Sequence, residues 1–202
     1  MEKRYLPFLI LFIFIISFVA GCTTPAAQRT GASPGLGTAE VSQTQLSTTP
    51  SRFSLNVDSL SPGSVLPDVY TCKGAGESPE VSWENIPSGT KSLVLILDDP
   101  DAPAGPFTHW IVYNIPPVST GLSRAQPNAK TLADGSQQGE SSTGSRGYYP
   151  PCPPITKTHH YVFHLYAVDM DIVQPTADRE SVDMALNGHT LAKTEVTTLF
   201  GR

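Results

Sequence analysis

Leu93 to Leu97 is an unbroken apolar run, the mark of a strand buried on both faces rather than one. Before it, Phe53, Leu55 and Val57 alternate with Ser54, Asn56 and Asp58, the period of a half-buried strand, and Ser61-Pro62-Gly63 turns the chain. Val65 to Tyr70 leads into Thr71-Cys72-Lys73-Gly74, and Glu80 to Ile86, carrying Trp83, reads as a further strand that Pro87-Ser88-Gly89-Thr90 turns into the central run. Trp110 to Ile115 is the next strand, closed by Pro116-Pro117. Ser119 to Tyr149 has no periodicity and reads as a long loop region of the functional or mobile kind. Tyr161 to Val168, aromatic and β-branched, is another strand. Towards the end of the chain Val182, Ala185, Leu186, His189, Ala192, Val196 and Leu199 recur at steps of three and four. That spacing predicts a C-terminal helix packed on its own domain, with Gly188 as a break.

The N-terminus follows another pattern. Lys3 and Arg4 precede Leu9 to Val19, which is apolar except for Ser17, as in a targeting segment. The run is shorter than the roughly 20 residues of a membrane span. Val19-Ala20-Gly21-Cys22 resembles the lipobox of secreted lipoproteins, which implies cleavage before Cys22 and a diacylglycerol anchor on it. An ordinary signal peptide or an uncleaved anchor helix is the other reading, and the remainder is exported in either case. Thr23 to Pro50 is rich in Thr, Ser, Gly, Ala and Pro, with Arg29 and Glu40 its only charges, and cannot bury enough surface to fold. As a flexible tether its 28 residues would reach roughly 30 Å. The expected division is therefore a lipoprotein signal peptide at 1–21, an anchoring cysteine and tether at 22–50, and one folded domain at 51–202. The expected location is the outer face of the cell membrane, or the outer membrane if the cell has one.

Composition narrows the class. With 39% hydrophobic residues in 202, the chain can build one core, while 19 Pro, 16 Gly and only 15% charged residues favour strands and loops over a helical bundle. Loss of residues 1–21 removes Lys3, Arg4 and Glu2, one net positive charge, and takes the net charge from −5 to −6. An acidic domain without a basic face excludes nucleic acid as a partner, and it leaves membrane attachment to the lipid on Cys22.

The candidate chemistry lies beside the central run. In Asp99-Pro100-Asp101-Ala102-Pro103 one proline follows Asp99 directly and another closes the stretch, so the carboxylates are held by a stiffened backbone. Such acids either cap amides and hydroxyls or face a ligand. His109 opens the next strand, where a hydrogen-bonded core histidine is the plain alternative. A second cluster, His159-His160-Tyr161, follows the kinked strip Tyr148-Tyr149-Pro150-Pro151-Cys152-Pro153-Pro154. Cys72 and Cys152 form an even pair in an exported domain, to be read either as a disulfide or as two buried thiols.

DPDAP followed by HW, then GYYPPCPP, then HHYVFHLYAVD resembles the phosphatidylethanolamine-binding protein family, in its bacterial and archaeal Raf-kinase-inhibitor-like branch. YTCKG, SPEVSWENIP and the terminal NGHTLAKTEVTTLFGR add to the match, which spans roughly 52–202. The resemblance implies a mainly β fold: a two-sheet antiparallel β-sandwich with peripheral helices and a small anion pocket at one end. Carried over by motif, the pocket would be lined by Asp99, Asp101, His109, Cys152, Pro154, His159 and Tyr161, and would accept phosphate, a carboxylate or a phospholipid head group. Imidazole N–H, tyrosine O–H and backbone N–H groups would donate to the anion, while Asp orients the histidines. His160 stands where many relatives have Arg, which weakens the positive rim. No cofactor, metal or catalytic residue is implied. Two further readings are an extracytoplasmic protein-interaction or protease-inhibitor module, and a metal-assisted hydrolase using Asp99, Asp101, His109 and His159. The last has no CxxC spacing to support it. If His109 and His159 must be charged to hold the anion, affinity should fall as pH rises.

Overall fold

The computed structural model describes residues 51–173 and 177–202. The targeting segment, Cys22 and the tether lie outside the described residues. The first strands are β1 (Ser54–Val57), β2 (Val81–Glu84), β3 (Ser92–Asp99) and β4 (Phe107–Ile115), followed by two-residue strands β5 (Gly121–Leu122) and β6 (Gln137–Gln138). The long strand β7 (Thr158–Val168), helix α1 (Arg179–Leu186) and β8 (Thr190–Gly201) complete the order, and a single 3-10 turn spans Asp68–Tyr70. The strands form two antiparallel sheets, one of three strands ordered β1-β2-β5 and one of five ordered β6-β4-β3-β7-β8.

β3 is at the centre of the larger sheet, and every one of its residues is buried. Its alternate residues serve two cores. Leu93, Leu95 and Leu97 face the smaller sheet and pack with Leu55, Val81, Trp83, Trp110 and Phe163. Val94 and Ile96 face the other way, against Ile111, Tyr113, Val182 and Leu186, so α1 covers the outer face of the sheet. This explains why the sequence shows an unbroken apolar run there rather than alternation.

The helix predicted near the C-terminus ends earlier than its apolar spacing implies. Asp178 caps α1 by accepting the Ser181 amide at 2.8 Å, and the helix stops at Leu186. Gly188 then takes φ +80°, a left-handed turn that suits glycine, and the chain enters β8. His189 lies in that turn, and Ala192, Val196 and Leu199 belong to a strand. Among the described residues α1 is the one α-helix.

The region Ser119 to Tyr149 is fastened through polar groups. Gln138, fully buried, accepts the Trp110 Nε1–H at 2.8 Å and donates its amide to the Pro127 and Ala129 carbonyls at 2.7 and 2.8 Å. Cys72 and Cys152 are joined in a disulfide across 80 residues of chain, with their Cα atoms 5.4 Å apart.

Candidate functional site

Strand alternation at the end of β3 separates its two aspartates. Asp98 turns towards α1: Thr108 Oγ1 donates to its Oδ1 at 2.7 Å and Arg179 Nε to its Oδ2 at 3.2 Å. Asp99 turns the opposite way, where its Oδ1 accepts the Asp101 amide at 2.9 Å and its Oδ2 accepts His159 Nδ1–H at 2.8 Å. Asp99 and His159 are 4% and 2% exposed, so this is a buried carboxylate–imidazole pair with both carboxylate oxygens in use. His159 reaches it because β7 runs antiparallel beside β3 and places His159, Tyr161 and Phe163 on one face.

His109 comes from β4. Its Nδ1–H donates to the Tyr149 carbonyl at 2.8 Å, and the Tyr149 amide returns a bond to the His109 carbonyl at 2.8 Å. Nε2 is left as the ring's remaining hydrogen-bonding atom. Burial pushes the His109 imidazole below its usual value, against the opposing pull of the Tyr149 carbonyl and of the Asp99 and Asp98 charges. The Tyr161 ring meets His109 edge-on with centroids 5.4 Å apart. Its hydroxyl is buried and has no partner of hydrogen-bond geometry among the described residues, although the Asp99 carboxylate is near enough to act on it. Burial first, and the Asp99 charge second, raise the Tyr161 hydroxyl well above its ordinary value, so it stays a protonated donor.

Five carbonyls stand in the strip Tyr149 to Pro153 with few amides to match them, since proline has no N–H. The strip therefore collects donors. Tyr149 takes His109 Nδ1–H, Pro151 takes the Cys72 amide at 3.0 Å, and Pro153 takes Arg202 Nε at 2.7 Å. Between the strip and the ends of β3, β4 and β7 lies a cleft of about 360 Å³. Asp99, His109, Cys152, Pro154 and His159 line it, together with Phe107, Tyr149 and Arg202, which the sequence reading did not single out. Phe107 carries no motif of its own, and Tyr149 stands in GYYPPCPP without being marked there as a lining residue. Arg202 falls within the terminal stretch NGHTLAKTEVTTLFGR, yet a single arginine has no spacing to mark it.

Asp101 and Tyr161 do not line the cleft. Tyr161 lies behind its wall, against His109. Asp101 is at the rim, where its Oδ2 accepts the His160 amide and His160 Nδ1–H, both at 2.7 Å. The His160 amide, more than its ring, holds the Asp101 carboxyl below its ordinary value. Among the described residues no group of three or more His, Cys, Asp or Glu side chains is placed to hold a metal ion.

The sequence model of the family described as phosphatidylethanolamine-binding protein matches residues 56–201. The chain belongs to this family. A UPF0098 protein of Methanothermobacter thermautotrophicus is 46% identical over 138 residues, 68% of this chain and 91% of that protein. The crystal structure of Escherichia coli YbcL, described as a new member of the mammalian PEBP family, superposes with a TM-score of 0.70 at 29% identity, covering 75% of this chain and 99% of YbcL. A Mycobacterium tuberculosis protein named "Putative lipoprotein LppC" is 40% identical over 114 residues, 56% of this chain and 54% of that protein. The two antiparallel sheets with one helix near the C-terminus are thus the phosphatidylethanolamine-binding protein fold.

Proposed function

We propose that this chain is an exported, lipid-anchored binding module whose cleft takes a small anion, namely phosphate, a carboxylate or a phospholipid head group, without catalysing a reaction on it. The observation that carries the reading is the buried pair Asp99–His159 in the wall of the cleft. Asp99 engages His159 and the Asp101 amide, which fits an orienting role and leaves Nε2 of His159 and of His109 as the ring atoms for a ligand. A protonated imidazole donates from that atom to an anion. The volume of about 360 Å³ suits a head group or a small acid. Family membership supports a binding role, and the likeness to a protein named as a lipoprotein supports the anchor on Cys22.

Isothermal titration of the full-length chain in a non-ionic detergent with phosphate, acetate and phosphoethanolamine tests this. Heat is expected with at least one of them, weakened by His109→Ala and by His159→Ala. No heat with any, or curves that both substitutions leave unchanged, would remove the reading. Mass spectrometry of the purified native chain would show the diacylglycerol on Cys22, and an unmodified Met1 would remove the anchor.

A further inference from the structure

We propose that Arg202 sets the charge preference of the cleft, favouring a doubly charged phosphomonoester over a singly charged carboxylate or phosphodiester. This rests on the anion-binding reading above and names the class of anion.

Among the described residues Arg202 is the one lysine or arginine that lines the cleft. The guanidinium keeps its charge at any pH the protein meets, whereas burial favours the neutral form of His109. At neutral and mildly alkaline pH the permanent positive charge facing the ligand is therefore that of Arg202. The Asp99 carboxylate also lines the cleft and is already engaged with His159.

The side chain is also held in place. Its Nε donates to the Pro153 carbonyl at 2.7 Å, and the Gly201 carbonyl just before it accepts Lys73 Nζ at 3.1 Å. The Arg202 carbonyl itself accepts the Thr156 amide at 3.4 Å. Lys73 adjoins Cys72 and Pro153 adjoins Cys152, so the disulfide ties together the two segments that grip the end of β8. With Nε engaged, the two terminal nitrogens are the part of the fork left for a ligand, and they match two oxygens on one phosphorus or carbon. Because the fork is already ordered, little side-chain freedom is lost on binding.

A carboxylate has only the two oxygens that this fork would use. A phosphomonoester dianion offers the fork the same pair of oxygens with a second negative charge for the guanidinium. A phosphodiester has two unesterified oxygens but one charge, so it fills the fork with the weaker attraction of a carboxylate.

The test is titration of the full-length chain at pH 8 with methyl phosphate, dimethyl phosphate and acetate. Methyl phosphate is a dianion there, since the second pKa of such esters is about 6. The wild-type chain should bind methyl phosphate most tightly. Arg202→Gln should weaken methyl phosphate by about ten- to a hundredfold and bring the three ligands close together. Arg202→Lys, which keeps the charge and loses the fork, should fall between them. Thermal unfolding of each variant provides the check on the fold, and only a small fall is expected, from the Pro153 carbonyl that loses its Nε donor. A pH profile separates a direct contact from a structural one: Arg202→Gln should regain affinity between pH 8 and 5.5 by a larger factor than the wild type, as a protonated His109 replaces the lost cation. A wild-type chain that binds methyl phosphate, with the same affinity and ligand order in Arg202→Gln, overturns this inference alone. No heat with any ligand in the wild type overturns the anion-binding reading and this inference with it.

Discussion

Removing the disulfide should destabilise the domain strongly, and the size of the effect follows from its place in the chain. Cys72 and Cys152 are both exposed, so Cys72→Ser with Cys152→Ser opens no void in the core. What is lost is the restraint on the unfolded chain. For the sequence separation of 80 between the two cysteines, the loop-closure entropy corresponds to about 4.5 kcal/mol at 25 °C. For a domain of this size, each kcal/mol moves the unfolding temperature by about 2–4 °C, so a fall of roughly 10–18 °C is expected. Denaturant unfolding of the wild type, of the double variant and of the wild type in a phosphine reductant reads it directly. The free energies should be compared rather than the midpoints, because an uncrosslinked unfolded chain exposes more surface and has a steeper denaturant slope. The reduced wild type should coincide with the double variant. A difference below about 1 kcal/mol would refute the entropic argument, and two titratable thiols in the denatured, unreduced wild type would refute the bond itself.

Other perturbations probe the remaining supports of the cleft. Asp99→Ala strands a buried imidazole and the Asp101 amide, and should cost about 3–5 kcal/mol in denaturant unfolding; a loss under about 1 kcal/mol would mean that His159 readily finds water. Gln138→Leu leaves the Trp110 indole N–H and the Pro127 and Ala129 carbonyls unpaired, at about 1–3 kcal/mol for each group that stays dry, and a neutral result would show that water replaces the amide. Acid should weaken the fold before any carboxylate titrates. Burial lowers both His109 and His164, so the unfolded chain takes up these protons first. Stability is then full above the ordinary histidine value of about 6.5 and is lost as pH falls from there towards the lower folded-state values. Melting temperatures from pH 7.5 to 5 measure this; His164→Gln should flatten the decline, and a melting temperature that holds or rises on acidification contradicts it.

The parts of the fold legible in the sequence are those where packing writes a pattern on residue type. The run Leu93 to Leu97 reads as a strand buried on both faces because each face of β3 has its own apolar cover. The end of the chain was harder for a definite reason. The inward positions of β8 are Ala192, Thr194, Val196, Thr198 and Phe200, and two of these five are threonines. Thr198 is fully buried because its hydroxyl donates to the Tyr161 carbonyl at 3.3 Å. A β-branched residue that satisfies its own hydroxyl is at home in a strand interior, yet it counts as polar in a periodicity, so the remaining apolar residues fall at helical steps by coincidence. In the cleft, the proline-stiffened carboxylates and the two histidines announce themselves by type. Arg202 does not, because its place depends on β8 ending beside Pro153, a neighbour 49 residues away that no local spacing records.

This dependence makes the proline strip, rather than the acidic turn, the organiser of the cleft. Asp99 turns one imidazole, and its other oxygen holds the Asp101 amide two residues away. The strip reaches further, because a run of carbonyls short of amides must borrow donors from elsewhere, and the donors it borrows are His109, the Cys72 amide and Arg202. The ring from β4, the loop before β2 and the end of β8 are therefore positioned by one segment. A change that shifts Cys152 to Pro153 should move His109 and Arg202 together, whereas a change at Asp99 should act through His159 alone. Double-mutant cycles between Cys152→Ser and Arg202→Gln, read in anion affinity, should show coupling, and those between Asp99→Asn and Arg202→Gln should be close to additive. The opposite ranking would return the organising role to the acidic turn.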